Sequence, residues 1–199
     1  MATRFVWTVV PSSVRVIGKI AWRLDLDRSI GFPEPPFVLA SNHHSFLDPF
    51  LLGAAWNRRM RFIGLIDLFG NSRVVDFGLR AFETIPVKRG TVPLGAVRSA
   101  LDHLAGGGAV GLFPEGTRHW EFDPERVLPG AAWLAARTGV PLVPIAIDGS
   151  ERVLGVNNRL HRGRIKVTIG PPLHPTGTDR PSVDDLTRKW ANWVYDTLR

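Results

Sequence analysis

The chain has 199 residues, 44% of them hydrophobic, enough for one domain with a sizeable core and too apolar for a disordered chain. Lys and Arg number 25 against 18 Asp and Glu, a formal net charge of +7, which favours an anionic partner: nucleic acid, an anionic lipid surface or a phosphorylated substrate. There is no cysteine, which excludes disulfides, thiolate nucleophiles and cysteine-ligated zinc.

The first stretch, MATRFVWTVVPSSVRVIGKIAWRL, is hydrophobic but interrupted by Arg4, Pro11, Arg15, Lys19 and Arg23. It is too broken to span a bilayer, and no small-residue cleavage site follows a clean apolar core, so it does not read as a signal peptide. Val14, Ile17, Ile20 and Ala21 fall at helical spacing, with Arg15, Lys19 and Arg23 elsewhere on the wheel. Trp7 and Trp22 are of the type that sits at a lipid interface. This predicts an amphipathic helical arm over residues 1–30, either packed on the domain or lying on a membrane surface. Residues 31–36 (GFPEPP) mark the boundary with the domain proper, 31–199.

Beyond that boundary the pattern alternates. Residues 37–40 predict a buried strand, 51–56 a helix, 61–66 a strand, 74–82 a helix and 84–87 a short strand. Pro93 suits the first position of a helix over 94–104, which Gly106-Gly107-Gly108 would end. Residues 109–113 predict a buried strand, 131–137 a helix stopped at Gly139, and 142–147 another strand. Residues 164–169 alternate like a half-exposed strand. Ser182 and Asp185 suit the start of a last helix, with Val183, Leu186, Trp190, Trp193 and Val194 as its buried stripe. Strands alternating with helices predict an α/β domain with a mixed, mainly parallel sheet flanked by helices.

In open α/β sheets ligands gather outside the carboxyl ends of the strands. After the strand at 37–40 come Asn42, His43, His44 and Asp48. After 84–87 come Lys88, Arg89 and Gly90. After 109–113 come Glu115, Gly116, Thr117 and Arg118, and after 142–147 come Asp148, Gly149 and Ser150. The first three sets supply a base, a carboxylate and several cations to one pocket. Asp48, followed by Pro49, also suits a helix start, and the histidines equally suit loop residues bonded to nearby carbonyls. The two roles of Asp48 are compatible. An aspartate there can accept the Nδ1 proton of a histidine one turn back and stabilise the imidazolium that forms. Without cysteine or a Gly-x-Ser-x-Gly elbow, such a pair would activate a hydroxyl that the substrate brings. Gly116 permits a sharp turn, and the fork of Arg118 suits phosphate or carboxylate. Glu115 would orient that fork or bond a substrate hydroxyl. Lys88-Arg89 is a solvated basic loop on the simplest reading, and Trp120 and Phe122 either cover the site or pack.

At these residues the chain resembles the glycerolipid acyltransferase family, whose best-known members are the lysophosphatidic acid acyltransferases. Asn42-His43 followed after four residues by Asp48 matches the family's first motif. Phe113-Pro114-Glu115-Gly116-Thr117-Arg118 matches the third, and Val143-Pro144-Ile145-Ala146-Ile147 resembles the fourth. The second matches in part: Glu83 stands near a position where the family tends to show glycine, Lys88 replaces an aspartate, and Arg89 agrees. The lysine often seen before Glu-Leu-Phe is missing from Gly64-Leu65-Ile66-Asp67-Leu68-Phe69. These departures fall where the family is thought to hold the acceptor's phosphate, and they leave the acceptor open.

The resemblance implies transfer of a fatty acyl group from acyl-CoA or acyl-carrier protein to the hydroxyl of a lysophospholipid such as 1-acyl-glycerol-3-phosphate, in phospholipid biosynthesis. It implies His43 as base, Asp48 as its partner and His44 as a bystander. Arg89, Glu115, Gly116, Thr117 and Arg118 would bind substrate. No metal is implied, and no cofactor beyond the acyl donor. A membrane surface at the cytoplasmic face is the expected setting. Nucleic acid is not an expected partner, because the conspicuous residues are spaced as motifs and not as a basic stripe with interleaved aromatics. The alternatives are a thioester hydrolase in which His43 activates water, and transfer to a different lysolipid.

Overall fold

The structure is a computed structural model that describes residues 2–56, 58–65, 83–87, 94–155 and 159–199. In chain order the helices are α1 (Ala2–Trp22), α2 (Asp48–Trp56), α3 (Leu94–Ala105), α4 (Gly130–Thr138), α5 (Ser150–Val153) and α6 (Arg180–Thr197). The strands are β1 (Asp25–Asp27), β2 (Phe37–Ser41), β3 (Arg61–Leu65), β4 (Ile85–Val87), β5 (Ala109–Leu112), β6 (Leu142–Asp148) and β7 (Lys166–Ile169). The helix expected over 74–82, and Lys88, Arg89, Gly90 and Pro93, lie outside the described residues.

The strands form one sheet in the order β1-β7-β6-β2-β5-β3-β4. All neighbours pair in parallel except β6 with β7, so the sheet is mixed and mainly parallel, as expected. β2 lies at the centre: Val38 pairs with Val110 of β5 on one side and Leu142 of β6 on the other. Every residue of β2 is buried because helices cover both faces, which is why it reads as an unbroken apolar run. Alternate residues feed two cores. Val38, Ala40, Val110 and Leu142 pack with α3, α4 and α6, where the alanines of α4 allow close approach. Phe37, Leu39, Val143 and Ile145 pack with α1 and α2. Trp190 of α6 reaches through the first core to donate its indole N–H to the Ala40 carbonyl at 3.0 Å, and Phe122 packs edge-on against it.

Two expectations shift. α6 begins at Arg180, with Asp179 at its cap and Pro181 in the first turn, where a missing N–H costs nothing. Ser182 donates its hydroxyl to Asp179, while Asp185 sits a turn inside and pairs with Arg188 and Lys189, each at 2.7 Å. In the N-terminal segment 1–30, the apolar stripe read as one face splits in two. Trp7, Pro11 and Gly18 are buried and Val14 and Trp22 pack against the second core, so neither tryptophan reaches outward. Ile17 and Ile20 instead point away from the domain, together with Val9 and Val16, and Ile20 is 81% exposed. The segment is tied to the sheet: β1 pairs with β7, and Arg15 and Arg28 both donate to the Ala54 carbonyl of α2 at 2.8 Å.

Candidate active site

The strand order places the loops after β5 and β6 on either side of the loop after β2, at one edge of the sheet. The β2 loop, residues 42–47, carries the two histidines and leads into α2. At its centre is the Asp48 carboxylate, fully buried. Its Oδ2 accepts three bonds: from His43 Nδ1 at 2.9 Å and from the His44 and Ser45 backbone N–H groups at 2.7 Å each. Asp48 therefore caps no first-turn amide of α2. It gathers the preceding loop around itself and holds the His43 ring with Nδ1 protonated. Nε2 is left as the ring nitrogen with a lone pair, the arrangement a general base needs.

The β5 loop clamps the same histidine. Phe113 stacks on the His43 ring, centroids 4.0 Å apart and planes within 19°. Glu115 Oε1 accepts the His43 backbone N–H at 2.6 Å, and the His43 carbonyl accepts the His119 N–H at 3.0 Å. The turn that permits this is Gly116, at φ +68, a conformation favouring glycine. Thr117, half-buried, completes the turn. Burial pushes the Glu115 carboxyl up to about 7 against the His43 hydrogen bond and the charge of His44, and Asp48 and Asp123 add to the rise. Its Oε2 is buried without a hydrogen-bond partner among the described residues.

Arg118 lies across Phe46, its guanidinium carbon 3.4 Å from the ring centroid. Burial lowers its pKa, with the Asp48 charge opposing. Its Nη1 is buried and has no hydrogen-bond partner among the described residues. The structure thus brings together His43, Asp48, Glu115, Gly116, Thr117 and Arg118. Arg89 lies outside the described residues. Sequence reasoning gave Glu115 to the substrate and missed its bond to His43. The two are 72 residues apart, and only strand adjacency joins them.

β6 turns sharply at Gly149 into α5, which carries Glu151, the partner of His44. Ser45 donates its hydroxyl to the Leu154 carbonyl at 2.5 Å, which ties the β2 loop to the end of α5.

The profile of the family described as Acyltransferase matches residues 23–148, which includes the His43–Asp48 pair and the whole β5 loop. The chain belongs to the acyltransferase family. Among curated relatives of the chain, the chloroplastic 1-acyl-sn-glycerol-3-phosphate acyltransferase of Arabidopsis thaliana is 29% identical over 150 residues, covering 73% of this chain and 42% of that protein. The 1-acyl-sn-glycerol-3-phosphate acyltransferase of Bacillus subtilis is 30% identical over 139 residues, covering 69% of this chain and 67% of that protein. The chain thus spans about two-fifths of the length of its chloroplast relatives. In fold it matches the crystal structure of the 1-acyl-sn-glycerophosphate (LPA) acyltransferase PlsC from Thermotoga maritima, with a TM-score of 0.72 and 22% identity over 98% of this chain and 81% of that one.

Proposed function

We propose that the protein transfers a fatty acyl group from acyl-CoA or acyl-carrier protein to the free hydroxyl of a lysophospholipid such as 1-acyl-glycerol-3-phosphate, in phospholipid biosynthesis, working at a membrane surface on the cytoplasmic side. The observation that carries the reading is the His43 ring held by Asp48 at 2.9 Å. His43 Nε2 takes the proton of the acceptor hydroxyl as its oxygen attacks the thioester carbonyl carbon. The imidazolium is stabilised by Asp48. When the tetrahedral intermediate collapses, the carbon–sulfur bond breaks and the imidazolium returns the proton to the leaving thiolate. The planar fork of Arg118 suits the acceptor's phosphate, and Arg89 is proposed for the same phosphate. Glu115 holds the His43 backbone and is proposed to bond the acceptor hydroxyl. The steps need no metal. The exposed Val9, Val16, Ile17 and Ile20 on α1, beside Lys19 and Arg23, support a membrane-surface setting. Among the described residues no helix is long and apolar enough to cross a membrane.

The test is labelled acyl-CoA and acyl-carrier protein, supplied in turn with a panel of lysolipids. The expected result is labelled phospholipid with wild type and a fall of roughly 10²–10⁴ in rate with folded His43→Ala. Free fatty acid whose yield ignores added lysolipid would overturn the reading in favour of a hydrolase.

A further inference from the structure

His44, beside the base, is buried at 6% exposure, and the chemistry above does not use it. Its surroundings fix its protonation. Asn42, fully buried at the end of β2, makes two bonds to one residue of β6: its Oδ1 accepts the Ile147 N–H and its Nδ2 donates to the Ile147 carbonyl, both at 2.8 Å. That pair sets which end of the amide is oxygen and which is nitrogen, because a flipped amide would face donor with donor and acceptor with acceptor. The same Nδ2 lies 3.3 Å from His44 Nε2. An amide nitrogen only donates, so Nε2 must accept. The ring proton then sits on Nδ1, which faces Glu151 Oε2 at 3.4 Å. Glu151 is itself buried, and Arg152 holds its other oxygen at 3.0 Å.

We propose that Glu151 and His44 are positioning residues for the base: Glu151 holds His44 in its neutral Nδ1–H form, His44 holds Asn42, and Asn42 locks the end of β2 to β6 one residue before His43. The proposal rests on the reading of His43 as base. It has a consequence in acid. A second proton on His44 would set an Nε2–H against the Asn42 N–H, removing one bond of the chain and adding a repulsion. Either Asn42 or His44 must then move, and His43 lies between them. The groups facing His44 are Asn42 from the β2 loop, Glu151 from α5, Glu115 from the β5 loop and Asp48 from α2. Burial opposes a charge on His44, but the Glu151 hydrogen bond and the charges of Glu115 and Asp48 outweigh it, and the net direction is upward. The carboxylates thus pull a proton onto a ring whose Asn42 contact has no room for it. The geometry decides the working state, since the amide orientation is fixed by two good backbone bonds.

Gln is the informative replacement, because its amide offers Glu151 a donor and Asn42 an acceptor but does not titrate. His44→Ala should lower kcat about tenfold or more with the acceptor KM nearly unmoved, and His44→Gln should restore most of that loss. In the pH profile of kcat, wild type should fall more steeply on the acid side than His44→Gln, because His44 gains a second ring proton there and glutamine does not. Equal acid limbs in the two proteins, or full kcat in His44→Ala, would overturn the proposal. Nitrogen NMR of the imidazole rings in His43→Ala protein gives a readout independent of turnover. A neutral His44 with its proton on Nδ1, lost in Glu151→Ala, supports the chain of bonds even if His43 proves not to be the base. The Nε2–H tautomer refutes it.

Discussion

Asp48 Oδ2 carries three donors, and two of them are backbone N–H groups whose bonds do not require a full negative charge. An asparagine oxygen can accept the same bonds but cannot stabilise an imidazolium by charge. Asp48→Asn should therefore lower kcat by roughly 10²–10⁴ while moving the melting temperature little. A large loss of stability with kcat preserved would show that the residue serves the loop alone. Glu115 is the second carboxylate of the site, and its environment drives it the other way. Its pKa is raised in the fold from an ordinary 4.5 to about 7, so the native state keeps a proton that the unfolded chain has already lost. Stability from this group is full below about pH 4.5, falls as pH rises, and levels off above about 7, a loss on the order of 3 kcal/mol. Glu115→Gln keeps an acceptor for the His43 N–H and removes the titration. It should flatten the decline of melting temperature between about pH 4.5 and 7 and stabilise the protein by several degrees at pH 8. An unchanged pH dependence of melting would refute the assignment.

The loops that meet around His43 depend on backbone features of the elements they join. β6 passes into α5 through Gly149, at φ +86, where a Cβ would lie 2.1 Å from the Arg164 carbonyl oxygen. That carbonyl belongs to the segment leading into β7, so no side chain can yield to make room. Gly149→Ala should cost about 2–4 kcal/mol by denaturant unfolding. It should also lower kcat, because α5 carries Glu151. Wild-type stability would mean the turn relaxes freely. A related departure lies before β4. Glu83, near the place where the resembled family tends to show glycine, has φ +46 and pairs with Arg59 at 2.5 Å and Arg61 at 3.2 Å. The left-handed backbone is thus found here without glycine, at a cost of roughly 1–2 kcal/mol that the ion pairs offset in part.

Across the whole molecule, α1 links the sheet to the surroundings. Its inner face packs against α2, whose first residue is Asp48, and its outer face carries apolar side chains beside Lys19 and Arg23. Ile17→Asp with Ile20→Asp should weaken binding to vesicles containing anionic phospholipid about tenfold or more, with melting temperature nearly unchanged because both side chains are exposed. Vesicle binding that ignores both changes would place the contact elsewhere. Sequence alone determined the layered α/β class, because strands buried on both faces must be apolar throughout and the helices between them must show one apolar stripe. It also determined His43, Asp48 and the Phe113–Arg118 loop as candidates, because chemistry of this type needs those residue types just past strand ends. Two things were decided by tertiary structure. The direction of α1 was one: apolar residues lie on both of its sides, and only contact with α2 shows which side is covered. The partners of the site were the other. Glu115 meets His43 across 72 residues and Asn42 meets Ile147 across 105, and such bonds exist only because β2 lies between β5 and β6. Local spacing encodes what a residue can do, while strand order settles which residue it does it with.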